Sequence, residues 1–343
     1  MRAVRSWRFW LGIAISALCL WLALRDVPLG TLKGVLATAR YAWLVPAVAV
    51  QLLAVLARAL RWQEILSRRG ILRETFWGHC VGFLFTNLLP FRAGDPARAV
   101  VVAEKTGIPF LQVGGSVVVE RVIDVATVLL ALVLLLPWMQ VPPLVRQAGI
   151  LFGVVVIVAL GGLWLMVRFR EPATARVRAI LGRARRLPAE RLLGWLDQLL
   201  DGFAPLTRPL VALRVLVWSV LSWTLSIAIY WCVLHAFQPD ASWVEAGFMV
   251  VSLSLAITVP SSPGFIGVFQ YVGQQALVLP FGAKYDAGTA LAATLTAHLV
   301  YYLITTALGI VGLWRFGESL SGLGRRIGRK PSSSPPDIAA DPD

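Results

Sequence analysis

Seven stretches of the chain run without a charged residue: 9–24, 41–57, 125–145, 147–167, 215–239, 246–283 and 287–314. About 20 apolar residues carry a helix across a bilayer, and a soluble fold has no place for so many such segments. With 58% hydrophobic and 15% charged residues among 343, the composition agrees. The chain reads as an all-α polytopic membrane protein. Its polar interior stretches, 92–112 and 168–208, are too short for a catalytic domain of ordinary size, so no large soluble enzyme domain is expected.

Cys19, Cys80 and Cys232 lie in apolar sequence at unrelated spacings, which suggests neither disulfides nor a metal site. Residues 9–24 run into Arg25 and Asp26 without a small-residue cleavage site, so they are expected to be a retained span rather than a signal peptide. The net charge of +14 is concentrated in residues 1–8, 58–74, 168–191 and 315–330. The positive-inside rule puts all four segments, and both termini, in the cytoplasm of a bacterial inner membrane protein. That distribution reports topology, and no nucleic-acid partner is expected.

Parity then constrains the remaining segments. Residues 9–24 go out and 41–60 return, which leaves 58–74 inside. Two spans, about 113–137 and 148–167, precede the basic 168–191 loop, so residue 112 is inside too. The apolar stretch 76–91 therefore starts and ends on one side and is expected to be re-entrant, turning near Asn87 to Gly94. In the second half, 210–236 leaves and 287–314 returns, so the 38-residue uncharged stretch 246–283 starts and ends outside. Pro260, Pro263, Gly264 and Gly267 break it in the middle. Paired interrupted segments in two halves of opposite orientation point to a transporter built from inverted repeats; ordinary kinks in packed helices are the alternative. The expected architecture is two inverted-topology halves with about six full spans and two re-entrant elements. The first half covers about 1–167, a basic linker about 168–208, the second half about 209–320, and a disordered cytoplasmic tail 321–343.

Ionisable residues inside apolar sequence are the candidate site. Glu120, Arg121 and Asp124 lie in VVVERVIDVATV, where Arg121 can pair with either acid along one helix face. Such charges cost roughly 2.5–3.5 kcal/mol each at mid-membrane. They serve either as an ion pair joining helices or as a polar contact for a headgroup or proton. Upstream, NLLPFRAGDPARA supplies Asn87, Pro90, Arg92, Gly94, Asp95 and Arg98. Asp95 before Pro96 reads as a helix cap, while Arg92 and Arg98 are expected to be free to meet phosphate, which guanidinium matches bidentately. His298 sits in the last apolar run beside Tyr301 and Tyr302, as a satisfied buried histidine or a headgroup or proton contact.

The runs NLLPFRAGDPARA, GGSVVVERVIDVATVLLAL, PSSPGFIGVFQ and TAHLVYYLITTALGIVGL resemble the lysylphosphatidylglycerol synthase transmembrane-region family, flippase-like integral membrane proteins, over most of residues 5–320. The resemblance implies movement of a lipid with a modified headgroup across the bilayer, without the soluble synthase domain that some members carry. Family members often have Glu where Gln270 stands, so a proton or cation role there is not implied; many have Arg or His near His298. A membrane lipid is the expected substrate and a lipid-modifying transferase a candidate partner. A membrane scaffold or embedded subunit of a lipid or glycolipid modification enzyme is the alternative function. No catalytic constellation, cofactor, metal ligand set or nucleotide-binding loop of the G-x-x-x-x-G-K-[ST] type is recognisable. Cysteines placed at Gly70, Lys105, Ile180 and Arg325 in a Cys-free background are expected to label from the cytoplasmic side only; labelling of position 105 from outside would make 76–91 a full span.

Overall fold

A computed structural model describes residues 7–89, 93–138, 203–257 and 262–327, with scattered positions between 147 and 169. The described residues are helical and contain no strand. The elements are α1 (Trp7–Leu24), α2 (Leu29–Thr38), α3 (Leu44–Ile65), α4 (Leu72–Leu88), α5 (Gly94–Thr106), α6 (Phe110–Leu135), α7 (Pro209–Phe237), α8 (Trp243–Ala256), α9 (Val268–Phe281), α10 (Ala287–Phe316) and α11 (Leu320–Ile327).

Among the described residues, three helical segments are long and apolar enough to cross a membrane: Tyr41–Ile65, α7 and α10, of 25, 29 and 30 residues. The bent pair α1 and α2, at 78° to one another, makes a fourth if it is one broken span. About six spans were expected, and the difference has specific causes. Helix α6 is 26 residues long but carries three charges in its middle. The apolar run 148–167 and the linker 168–208 lie largely outside the described residues. Residues 25–40, expected to be a connection, contain α2, whose start follows the fixed backbone of Pro28.

Two pairs of short helices form hairpins. Helices α4 and α5 run antiparallel: Gly78 faces Val102, Gly82 faces Arg98, and Thr86 faces Gly94. A Cβ on Gly94 would fall on the Gly82 carbonyl oxygen and Thr86 Oγ1, so only glycine lets α5 begin this close to α4. At the open end, Arg68 donates to the Thr106 carbonyl at 2.9 Å and ties the two feet together. Helices α8 and α9 repeat the arrangement, with Phe248 against Phe281 at 6.4 Å between ring centroids. Here the feet are clasped by Glu245, which closes a capping box with Ser242. The same carboxylate accepts from Lys284 Nζ at 2.9 Å and from the Tyr285 hydroxyl at 2.7 Å. Burial, reinforced by that hydrogen bond and the Glu245 charge, pushes the Tyr285 phenol up from its ordinary pKa.

The long helices hold the hairpins in place. Helix α10 starts at Asp286, whose side chain caps Gly288 N and Thr289 N at 2.8 and 3.0 Å. It runs antiparallel to α4, and a Cβ on Gly309 would collide with Leu84 Cβ and the Cys80 carbonyl. Helix α7 packs along α3, where Arg58 donates to Ser226; Ser219, Ser222 and Ser226 are all buried, and their hydroxyls turn back to carbonyls one turn earlier in their own helix. The apolar core around the second hairpin joins Met249, Leu253, Phe269 and Leu277 to Ala290, Ala293 and Ala297 of α10. Val81, Leu84 and Phe85 of the first hairpin pack instead with Ala97, Val101, Leu313 and Phe316.

Candidate functional site

The charged residues that a bilayer interior penalises do not stand singly but close a ring across three helices. Arg61 of α3 donates to Glu120 Oε1 at 2.9 Å and to Asp124 Oδ1 at 2.8 Å, both on α6. Arg98 of α5 meets Glu120 Oε2 at 2.8 Å and Asp95 at 3.2 Å. Arg121 completes the ring with a two-pronged pair to Asp95, at 2.6 and 3.0 Å, and a 3.6 Å approach to Asp124. Three guanidinium and three carboxylate groups thus alternate around a closed, charge-neutral circuit. Its inner half, Arg61, Glu120 and Arg98, is almost fully buried, while the Arg121 side chain is 45% exposed. His79 Nδ1 accepts from Arg98 at 3.0 Å, as a neutral imidazole does, and the Arg98 guanidinium lies 4.7 Å from the Trp62 ring centroid.

This geometry corrects three sequence expectations. Arg121 does not pair with Glu120, because consecutive residues on a helix point about 100° apart; Glu120 turns inward to Arg61 and Arg98. Arg98 is not free for phosphate: it is buried at 2% and held by two carboxylates. Asp95 does not cap α5, which begins at Gly94 with no side-chain cap; its carboxylate is drawn to the two arginines.

Sequence reasoning also missed Arg58, Arg61 and His79. Both arginines were counted in a basic surface segment, 58–74. Instead α3 continues to Ile65, which puts them inside the bundle. The available signal was their spacing of three residues in an apolar helix that had not yet reached a breaker.

The second cluster is where the hairpin tips meet. Asn87, buried at the tip of α4, donates to the hydroxyls of Thr305 and Thr306 on α10, both at 3.0 Å. Opposite it, Pro263, Gly264 and Phe265 form a turn before α9. Gly264 has φ +67°, and a Cβ there would stand 2.9 Å from the Tyr302 ring and 3.4 Å from the Asn87 carbonyl oxygen. Gly267, at φ +93°, packs so tightly on the Ser16 backbone of α1 that any side chain would collide. Gln270 Oε1 accepts from Gly267 N at 2.7 Å, while its Nε2 lies 2.8 Å from His298 Nδ1. An amide serves both contacts at once, giving the glutamine a local reason where a carboxylate could not donate to the imidazole. His298 stacks on Phe269 with 4.2 Å between centroids. Pro90, Arg92 and Pro260 lie outside the described residues.

Asn87, Pro263, Gly264, Gly267, Gln270 and His298 are therefore grouped at the tips, Gly94 starts α5 beside Thr86 at the first tip, and Asp95, Arg98, Glu120, Arg121 and Asp124 belong to the ring. A separate basic pocket of about 200 Å³, lined by Gln63, Arg68, Arg69, Arg208 and Arg214, lies between the end of α3 and the start of α7. Among the described residues, no three His, Cys, Asp or Glu side chains come together in a way that could hold a metal ion.

The family model for the lysylphosphatidylglycerol synthase TM region matches residues 9–309, which takes in both hairpins and the ring. The chain belongs to the lysylphosphatidylglycerol synthase transmembrane-region family. It is also similar to the glycosyltransferase AglD of Haloferax volcanii, at 27% identity over 350 residues and 90% of this chain. The chain spans 54% of that protein's length. No solved structure matches it.

For this family member the ring makes an unequal mutational pattern. Glu120→Gln leaves Arg61 and Arg98 buried without their shared acid, a loss of about 3–5 kcal/mol by comparison with broken buried pairs. Arg121→Gln removes a cation with a large exposed fraction and is expected to cost at most about 1 kcal/mol. Thermal unfolding of the purified variants in detergent checks the order, with Glu120→Gln melting well below Arg121→Gln.

Proposed function

We propose that the protein moves a lipid with a phosphate-linked polar headgroup across the bilayer, the headgroup crossing where the two hairpin tips meet. The observation that carries this reading is the approach of Gly264 to Asn87 and Tyr302, which joins the two interrupted elements in one place. Helices α5, α8 and α9 have 13, 14 and 14 residues, a rise of about 20 Å each, short of the ~30 Å hydrocarbon core. Each hairpin then enters and leaves on one side, the first from the basic cytoplasmic face and the second from the opposite face. Residues 1–167 and 209–320 are inverted-topology halves in this reading, and both termini are cytoplasmic in a cell inner membrane.

Irregular backbone at membrane depth is tolerated where protein or a watery cavity satisfies it, and in this reading the turns around Asn87 and Gly264, packed on one another at rest, border such a cavity when the tips part. Asn87, Tyr302, Gln270 and His298 give the headgroup polar contacts between the two faces, while the acyl tails stay in lipid. The tips part to let it through. The family supports a membrane lipid as the substrate, and the similarity to a glycosyltransferase supports a glycosylated one.

That similarity also favours a second reading, in which the protein is a non-transporting, membrane-embedded partner that presents a lipid to a transferase. The two readings separate in a purified system. Reconstituted alone into phosphatidylcholine vesicles with tail-labelled phosphatidylglycerol, a translocator exposes inner-leaflet label to an impermeant quencher; a presenting subunit does not. Gly264→Ala puts a side chain against Tyr302 at a left-handed backbone position and is expected to lose most of this flux. Gly34→Ala, with nothing within 4 Å, is expected to keep it.

A further inference from the structure

Of the described arginines inside α3, α5, α6 and α7, all but Arg58 are paired with a carboxylate. Arg61, Arg98 and Arg121 are balanced by Asp95, Glu120 and Asp124 around the ring. Arg58 lies one turn further along α3, seven residues and about 10 Å from its end at Ile65. No carboxylate among the described residues comes within ion-pairing distance of it. Its Nη2 donates to Ser226 Oγ at 2.9 Å, and its guanidinium lies 6.0 Å from the Phe83 ring centroid. The phenols of Tyr301 and Tyr230 lie near its charge, and the carboxylates of Asp124 and Glu120, already paired with Arg61, act on it from beyond ion-pairing distance. Phe83 in turn contacts Tyr301, at 6.2 Å between centroids, one turn before the Asn87 tip.

A guanidinium carries five N–H donors, and a single serine hydroxyl leaves most of them unanswered. A guanidinium in an apolar bundle with no carboxylate in direct contact fits a ligand that brings an anionic oxygen to it. The three ring carboxylates are already paired with arginines, so the same region has no free acid for a cationic headgroup.

We propose that Arg58 anchors the phosphate of the translocated lipid and that the headgroup carries one net negative charge, a phosphodiester with no compensating ammonium. The proposal rests on the translocation reading and adds the ligand's charge class to it. Ser226 orients the guanidinium from α7, and the Phe83 and Tyr301 rings flank the headgroup on its way to the hairpin tips. Phosphatidylglycerol has the required charge; phosphatidylethanolamine and lysylphosphatidylglycerol carry an extra cation that finds no partner here. Free inorganic phosphate shares the anionic chemistry and is the competing source.

The test uses the full chain in phosphatidylcholine vesicles containing tail-labelled phosphatidylglycerol, phosphatidylethanolamine or lysylphosphatidylglycerol, with flux read by an impermeant quencher. The wild type is expected to move phosphatidylglycerol about tenfold faster than either of the others, the scale of one charge-assisted hydrogen bond. Arg58→Gln is expected to bring phosphatidylglycerol flux down to the rate of the others, and Arg58→Lys to retain the preference at reduced flux. Arg69→Gln, at the separate basic pocket, is expected to leave flux and preference unchanged.

Equilibrium binding of labelled phosphatidylglycerol to the detergent-purified protein keeps the two readings apart. Binding that Arg58→Gln abolishes, with no flux in the wild type, would sustain the Arg58 site and remove the translocation reading. Flux that is equal in wild type and Arg58→Gln would sustain translocation and remove the Arg58 site. Lysylphosphatidylglycerol moving as fast as phosphatidylglycerol would overturn the charge rule, and full competition by millimolar inorganic phosphate would overturn the lipid as the ligand. If Arg58→Gln does not fold, loss of the lipid preference in Arg58→Lys overturns the proposal on its own.

Discussion

One carboxylate organises this fold. Glu120 sits in an apolar helix at a depth where an uncompensated charge is costly, and it accepts from Arg61 on α3 and Arg98 on α5. It is the one carboxylate the two arginines share, since Arg61 otherwise pairs with Asp124 and Arg98 with Asp95, so α3, α5 and α6 come together at one level around it. Buried ion pairs of this kind add little net stability compared with an apolar core, but they penalise every arrangement in which the partners are apart. Their contribution is register. With α5 fixed against α6, and α4 fixed against α5 by Gly78, Gly82 and Gly94, the tip of the first hairpin has a defined height.

The second hairpin reaches the same height by different means. Its feet are held by Glu245, Lys284 and Tyr285, and its tip is wedged between Ser16 of α1 and Tyr302 of α10 by two glycines in left-handed conformation. Helix α10 touches both tips, through Thr305 and Thr306 on one side and His298 and Tyr302 on the other. It is thus the natural strut between the interrupted elements. The charged ring takes Asp95 and Arg98 from the first turn of α5, just after the hairpin tip, and Arg58 lies one turn from Arg61 on α3, so polar groups follow one another through an otherwise apolar bundle.

Apolar runs and breakers made the helical class, both hairpins and their turning points legible in the sequence. Pro263, Gly264 and Gly267 interrupt α8 and α9 where the uncharged run implied, and Asn87 and Gly94 bracket the first turn. Charge counting along the chain served less well. Sequence puts the end of the returning span at residue 60 and counts Arg58 and Arg61 in the basic segment 58–74, because a linear count cannot tell a helix that ends at 60 from one that ends at 65. Glu120 and Arg121, adjacent in sequence, were read as neighbours in space, yet the helix sends one into the ring's core and the other to its rim. Pairing across helices depends on which faces meet, and that information lies in tertiary packing.

The central claim is that the headgroup passes between tips that must separate. Cysteines at Leu88 and Pro263, in a background lacking Cys19, Cys80 and Cys232, place a reversible lock across that contact. Once a short reducible crosslinker has joined them, lipid flux in reconstituted vesicles should fall to the protein-free rate and return on reduction. Full crosslinking with flux unchanged would show that the headgroup does not travel between the tips.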